Sequence, residues 1–301
     1  MPQPLDTPKG NAMCWICRHP VLKLVKPGNA PAALTSSDFA ITDSRYGVTS
    51  DVYRCEACGF LECPYQADVL PFYEQLVDSS YEEGRAERSL QQKQLLELVA
   101  PRGGGKRLLD IGAGTGMLVE QALNLGYQAE GVEPSDWSQS MAARRNLTVL
   151  KGIFPHPLLR GPYDVVTLVD VIEHVPNPVE LLAAIRDVLA PGGVTLIITP
   201  DVKSIAARLL GGRWWHYRLA HIGYFSHGTL QLALENAGLE PEKWGRPAWY
   251  FRGDYLARRV QTYLPKFMRM APPKWLRGTT IPLNLRDSMY TICRSGCGPD
   301  R

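Results

Sequence analysis

The pattern of apolar and polar positions changes character twice along the chain. From about residue 14 to 65, apolar runs are short and turn formers frequent. Such a stretch buries too little core to fold unaided and needs a staple. Over Arg85–Val99 the Glu-, Gln-, Leu- and Arg-rich run predicts a helix with Leu90, Leu95 and Leu98 facing inward. Pro101 and the glycines 103–105 end it. Beyond that point strand and helix patterns alternate. Strands are predicted over Arg107–Ile111, Gln128–Glu133, 147–151, 164–171 and 194–199. Helices are predicted from the glycines at 112–116 to 125, over 135–145, over 178–189 before Pro191-Gly192-Gly193, and over 203–210. The run 164–171 is continuously apolar, as a strand covered on both faces should be. A helix over 226–237, capped by Ser226 and stopped by Gly238, and late strands near 245–251 and 288–293 complete the pattern. The alternation predicts an α/β fold with a doubly wound, mostly parallel sheet of seven strands.

Length then sets the organisation. The 301 residues suit one large α/β unit plus a small appendage, placed at 66–301 and 1–65, with 252–286 as an insertion or lid between the last two strands. Composition is ordinary for a globular protein, and no repeat or low-complexity tract is present. A net charge of +3 permits nucleic acid without pointing to it. Residues 1–13 are polar and Pro-rich, read as a disordered tail without the apolar core of a secretory signal, and no apolar run is long enough to span a bilayer. These features lead to an expectation of cytoplasmic location.

Five of the seven cysteines fall in the weak-core stretch. In a reducing compartment, paired Cys-x-x-Cys elements read as metal sites before disulfides. Cys14 and Cys17, with Cys55 and Cys58 followed by Gly59, form two such pairs. Their four thiolates suit one tetrahedral Zn2+ in a ribbon-like module, with Cys63 and His19 as competing ligands. A closed four-thiolate site leaves no position for a reactant, so its role is structural. Redox use of the pairs and a metal-free fold are the alternatives; Cys293 and Cys297 read as ordinary thiols.

The segment Asp110-Ile111-Gly112-Ala113-Gly114-Thr115-Gly116 lies at a strand–helix junction. Glycines there allow a tight turn and close approach to a ligand. Glu133 ends the next strand, where a carboxylate can accept both hydroxyls of a ribose. Alone, the two elements mean only an adenosine-type cofactor. The third glycine comes one residue too early for the dinucleotide fingerprint.

With three further segments this region resembles the class I S-adenosylmethionine-dependent methyltransferases. Val132-Glu133-Pro134-Ser135 is similar to their acidic ribose motif. Residues 163–166, continuing through Asp170-Val171-Ile172-Glu173-His174-Val175, resemble their fourth-strand motif. Leu189-Ala190-Pro191-Gly192-Gly193 resembles their turn before the fifth strand. The four occur in order over about residues 81–240. The resemblance implies S-adenosyl-L-methionine as cofactor. It assigns Gly112, Gly114 and Gly116 to cofactor contact and Asp110 to orienting the loop or the cofactor's ammonium. It gives the ribose to Glu133 and the shape of the adenine pocket to Pro134. The stretch Lys151-Gly152-Ile153-Phe154 lacks the acid often found near the adenine, so its amine has no assigned partner. The alternative is that the glycines serve only the turn and Asp110 only a cap.

Ligands in such sheets bind beyond the C-terminal strand ends. His174 lies at one of them and, with an ordinary pKa of about 6.5, suits removal of a proton from an acceptor; a structural role for it is the alternative. Asp170 is placed to bond the cofactor or a substrate hydroxyl. After the fifth strand, Trp214, Trp215, His216, His221 and Tyr224 form a cluster that, in the resembling family, lies over the acceptor pocket; a packed aromatic seam is the alternative. Residues 252–277 interleave seven Lys or Arg side chains with aromatic and aliphatic ones. This reads as a lid or oligomer contact, a surface for anionic lipid or a phosphorylated carrier, or a basic helix with a buried stripe.

The expected function is methyl transfer from S-adenosylmethionine to a small-molecule acceptor, such as a sugar, glycan intermediate or natural-product hydroxyl. O-methylation is favoured over C- or N-methylation, and the resemblance is nearest to bacterial saccharide and secondary-metabolite enzymes. An rRNA or tRNA methyltransferase with a zinc ribbon and a non-catalytic binding module are the other classes; the small charge and absence of a Lys-rich strip argue against nucleic acid. Oligomeric state is open.

Overall fold

The computed structural model describes residues 12–31, 33–40, 45–66, 69–100, 105–261 and 263–296. Three strands come first: β1 (Leu22–Lys26), β2 (Val52–Cys55) and β3 (Leu61–Glu62). Three helices follow, α1 (Leu70–Glu74), α2 (Ser79–Glu83) and α3 (Arg85–Val99). The alternating part comprises β4 (Arg107–Ile111), α4 (Met117–Asn124), β5 (Gln128–Glu133), α5 (Asp136–Ala143), β6 (Val149–Lys151), β7 (Tyr163–Val169), α6 (Pro178–Val188) and β8 (Leu189–Pro200). The last third holds α7 (Ile205–Leu210), β9 (Gly223–Tyr224), α8 (His227–Ala237), β10 (Leu239–Gly245), β11 (Trp249–Arg252), α9 (Gly253–Gln261), β12 (Thr280–Leu283) and β13 (Ser288–Ser295).

The central sheet has seven strands in the order β10-β13-β8-β7-β4-β5-β6. The pairs β4–β5, β4–β7, β5–β6 and β7–β8 are parallel, whereas β13 runs antiparallel to both neighbours. Strand order reverses beside β4, which leads to β5 on one side and to β7 on the other; a crevice opens at such a switch point. Because β13 is reversed, its first residues lie on the same edge as the C-terminal ends of β4, β5, β7 and β8. Two apolar layers cover the sheet, one including Leu109, Val166, Leu182 and Leu230, the other Leu96, Leu108, Val119 and Ile198.

Several sequence expectations need correction. Of the three leucines expected to face inward, Leu95 is buried and Leu98 half-buried, but Leu90 is exposed, and α3 also buries Gln91, Gln92, Leu96 and Val99. Strand β7 stops at Val169 rather than 171, because Asp170 turns the chain with φ 53°. Strand β8 starts at Leu189, so Pro191-Gly192-Gly193 lies inside an irregular extended segment rather than in a separate turn. The single strand placed at 245–251 is two: β10 belongs to the central sheet, and β11 pairs with β12 in a separate ribbon inside the insertion. The tail expectation falls almost wholly outside the described residues, as do Pro101 and Cys297.

The N-terminal strands form a sheet in the order β1-β2-β3-β9, so strand β3 pairs with a strand from beyond the fifth central strand. Trp214, fully buried, fills this junction with Val52, Leu61, Cys63, Ile222 and Tyr224.

Candidate active site and cysteine cluster

The glycine loop leaves β4 with φ of 73° at Gly112, 54° at Gly114 and 78° at Gly116, a region that other residues adopt at a cost. A Cβ on Gly112 would sit 2.5 Å from Cγ2 of Val171, and one on Gly116 would sit 2.8 Å from Cδ1 of Leu147. These two glycines let the loop pack against its neighbours. Gly114 differs, since a Cβ there would meet nothing closer than the Tyr81 hydroxyl at 4.0 Å. Its surroundings leave room for a ligand. Gly112→Ala should therefore destabilise the fold by about 1–3 kcal/mol from backbone strain alone, measured as a lowered denaturation midpoint.

Two acids flank the loop. Asp110 is buried, accepts a hydrogen bond from Thr167 Oγ1 at 2.6 Å, and is pushed up to about 7 by loss of water. Glu133 accepts from the Gly114 amide at 2.8 Å through Oε2 and from the Ser135 amide at 2.9 Å through Oε1. Each carboxylate oxygen keeps a further lone pair for a hydroxyl. Burial raises the Glu133 pKa, against both amides and the Lys151 charge. Ser135 also caps α5 and donates to the Leu76 carbonyl, and half-buried Pro134 lies between the two. Arg85, paired with Glu120 of α4 at 2.6 Å and donating to Thr115 Oγ1 of the loop at 3.4 Å, ties the start of α3 to the loop and the helix after it.

Asp170 sits beyond β7 in the left-handed region, as functional acids at strand ends often do. Its side chain is exposed. Loss of bulk water and the Asp287 carboxylate push it up to about 7, against the charges of Arg88 and Arg218. His174 follows at the end of a short helical turn. Its Nδ1 lies 2.6 Å from the Ala220 carbonyl and 2.8 Å from the Tyr73 hydroxyl. The carbonyl can only accept, so Nδ1 carries the proton and Nε2 keeps its lone pair. Burial drives the His174 pKa down to about 4, leaving the ring neutral.

Three imidazoles are brought together here. His221 lies edge-on to His174, with ring centres 4.8 Å apart, and stacks on His216 at 5.6 Å. Asp287 receives Trp215 Nε1 at 2.8 Å and lies 3.2 Å from His216 Nε2. Glu173 is buried beside them, held through Oε2 by the Thr199 hydroxyl at 3.0 Å. Oε1 of Glu173 and Nδ1 of His221 have no hydrogen-bond partner among the described residues.

His174, His216, His221, Trp215 and Asp170 therefore lie together at the edge of the sheet where the parallel strands end. Trp214 and Tyr224 do not. Both are buried in the seam beneath the N-terminal sheet, where Tyr224 pairs through its backbone with Leu61. For these two the packed-seam alternative describes the structure. Sequence reasoning missed Asp287, which reaches the site only because β13 is antiparallel. It also missed Tyr81 and Arg88, whose guanidinium lies 4.1 Å over the Tyr81 ring. A Tyr–x6–Arg spacing on a short helix pair gives no chemical signal by itself.

The cysteine pairs converge. The sulfurs of Cys14, Cys17, Cys55 and Cys58 lie within 4.8 Å of one another. Cys14 and Cys58 are 3.6 Å apart, and Cys17 and Cys55 are 3.5 Å apart. A zinc–sulfur bond of about 2.3 Å gives a tetrahedral S–S edge of about 3.8 Å, so the four sulfurs fit zinc with little movement. Cys63 and His19 stand outside this group. Both knuckles end on a left-handed residue, Arg18 and Gly59. The first knuckle docks on the larger fold through Asn236 Nδ2 to the Ile16 carbonyl at 3.0 Å and Arg18 to Glu180 at 2.9 Å.

Residues 81–243 match the family described as a methyltransferase domain. Among curated proteins, the ubiquinone biosynthesis O-methyltransferase of Shewanella halifaxensis is 30% identical over 122 residues, covering 36% of this chain and 51% of that protein. Its counterpart from Caulobacter sp. is 34% identical over 120 residues, covering 36% and 48%. The chain thus spans about half the length of the curated relatives it matches. Among solved structures, a SAM-dependent methyltransferase from Archaeoglobus fulgidus is similar at TM-score 0.48 and 18% identity, covering 72% of this chain and 99% of that one. Magnesium protoporphyrin IX methyltransferase from Synechocystis PCC 6803, solved with bound SAH, is similar at TM-score 0.47 and 14% identity, covering 73% and 89%. The family match takes in the glycine loop, Glu133, Asp170 and His174 and extends over more than half of the sequence. The chain belongs to the methyltransferase-domain family.

Proposed function

We propose that the protein transfers the sulfonium methyl of S-adenosylmethionine to a hydroxyl of a small-molecule acceptor. The observation that carries this reading is the Glu133 carboxylate, fixed by the Gly114 and Ser135 amides beside an open glycine loop. Two ribose hydroxyls can donate to its free lone pairs while the sulfonium chain passes Gly114 towards Asp170. The names of the curated relatives favour oxygen as the methylated atom; a saccharide or carrier-linked acceptor extends that reading.

Methyl transfer breaks the sulfur–methyl bond as the acceptor oxygen forms its own. The hydroxyl proton must leave, and it passes to Nε2 of His174, with His216, His221 and Trp215 lining the acceptor side. Ionised Asp170 would bond the cofactor or a substrate hydroxyl. Zinc bound to Cys14, Cys17, Cys55 and Cys58 supplies a structural clamp. The units are residues 1–65 for the zinc module and 66–301 for the methyltransferase, with 252–286 inserted. No helix among the described residues is long and apolar enough to cross a membrane, and a cytoplasmic setting suits the free thiols.

His174→Ala should lower turnover at least about 100-fold while leaving S-adenosylhomocysteine affinity within about threefold. Full activity would remove His174 as the proton acceptor. The pH dependence separates the two titrating groups. As pH rises through about 7, Asp170 ionises and kcat/KM should climb. Asp170→Asn should flatten that limb. The His174 ring, with its pKa down at about 4, is already neutral across this range and should contribute no limb near 6.5. A limb that persists in Asp170→Asn and vanishes in His174→Ala would reverse the assignment.

A further inference from the structure

We infer that the part of the insertion that follows β11 is a docking surface for an anionic lipid bilayer. Between Tyr255 and Arg286 the chain contains no Asp or Glu, but it holds Arg258, Arg259, Lys266, Arg269, Lys274, Arg277 and Arg286. The acid just before this stretch, Asp254, is already matched to Arg252, Arg258 and Arg277 at 2.5, 2.5 and 3.8 Å. The same stretch exposes large apolar side chains. Phe267 is 87% exposed, Met270 77% and Trp275 69%, with Met268 half exposed. A chain in water gains nothing by displaying these together, and clustered exposed apolar groups mark contact surfaces.

Composition selects the occupant. Residues 264–278 contain Leu, Pro, Lys, Phe, Met, Arg, Ala, Trp and Gly only. Side-chain amides, hydroxyls and carboxylates, which read base edges or pair with a polar protein surface, are missing. Hydrocarbon needs none of them. Cations interleaved with Phe, Trp and Met are what an interfacial segment needs, the rings entering at headgroup depth while Lys and Arg meet lipid phosphates. The location is also informative. Tyr263 stacks on Tyr46 with ring centres 5.9 Å apart, and Arg213 lies 5.6 Å over the Tyr263 ring. This sets the segment's start just beyond α7, a helix that also exposes Ile205 and Leu209. Its other end runs into Asp287 on the ligand edge of the sheet. A bilayer held here would lie next to the acceptor side of the fold.

The test uses the full-length protein and sedimentation with vesicles of phosphatidylcholine, with and without phosphatidylglycerol. Binding is expected only to the vesicles containing phosphatidylglycerol, weakening as salt is raised. The triple substitution Arg269→Gln, Lys274→Gln, Arg277→Gln should lower the partition coefficient roughly 100-fold. The apolar triple Phe267→Ser, Met270→Ser, Trp275→Ser should also weaken it, by at least about tenfold, at unchanged net charge. All these side chains are exposed, so circular dichroism and S-adenosylhomocysteine affinity should stay as in the parent. Equal binding to both vesicle types, binding to neither, or loss with the basic but not the apolar triple would each overturn the inference. So would salt-sensitive binding of single-stranded RNA, abolished by the basic triple, without vesicle binding.

Discussion

Replacing Glu133 by alanine should weaken S-adenosylhomocysteine binding roughly 100- to 10 000-fold, with far-ultraviolet circular dichroism unchanged. The magnitude follows from two hydrogen bonds to a charged acceptor, each contributing about 1.5–3 kcal/mol. The site is built for them. Gly114 and Ser135 hold one oxygen each, so the carboxylate needs no reorientation when a ribose arrives. Removing it also leaves two amides without their acceptor, and the loop of Gly114 loses its tie to β5. Glu133→Gln is the sharper control, because it keeps the shape and one carbonyl acceptor while removing the charge. It should fall between the two, at roughly tenfold. Isothermal titration of parent and variants measures all three. An alanine variant that binds as the parent does would place the ribose elsewhere.

Loss of zinc should have the second large effect, and it should be selective. Cys14→Ser combined with Cys55→Ser should reduce bound zinc from about one per chain to none. Metal binding contributes on the order of 10–16 kcal/mol to the folding of small zinc modules, so the N-terminal sheet should open. The consequence for activity runs through the backbone. The Ile222 amide donates to the Glu173 carbonyl at 2.9 Å, and its carbonyl accepts from the Cys63 amide at 2.8 Å. Strand β3 thereby clamps the segment that carries His221, two residues before Gly223 and Tyr224 pair with it. Among the described residues, the glycine loop and Glu133 have no such hydrogen bond to the module. Cofactor affinity should stay within about threefold while methyl transfer falls at least about 100-fold. Metal analysis, calorimetry and a turnover assay on one preparation distinguish this from general unfolding, which would abolish both. An active, zinc-free variant would show that the clamp is dispensable.

The parts of this protein that were legible in the sequence are those where local chemistry and global position coincide. Strands β4 and β5 and helix α3 were bounded to the residue, because apolar runs there meet glycine, proline or acid at both ends. The glycine loop with Glu133, and the two cysteine knuckles, were readable since each function needs particular residue types at short spacing. Legibility failed where distant chain segments decide. Trp214 and Tyr224 carry the same residue types as an acceptor pocket, yet they are core because β3 pairs with β9 above them. Asp287 carries no motif and becomes a site residue through the reversed direction of β13. His174 is readable as a residue, but its low pKa comes from burial, which outweighs the opposing hydrogen bond to the Ala220 carbonyl, and the groups that enclose it, Ala220 and Tyr73, lie 46 and 101 positions away in the chain. Leu90 fits the periodicity of α3 and is nevertheless exposed, because the face that packs is the one carrying Gln91, Gln92, Leu95 and Leu96.

The central claim is that an S-adenosyl sulfonium lies across the crevice between β4 and β7, gripped through its ribose by Glu133. Calorimetry of the purified protein with S-adenosylhomocysteine and, separately, with NAD tests it most directly. Saturable binding of the first at about one molecule per chain, with none of the second, is the expected result. Uptake of NAD, or of no adenosine compound at all, would contradict it.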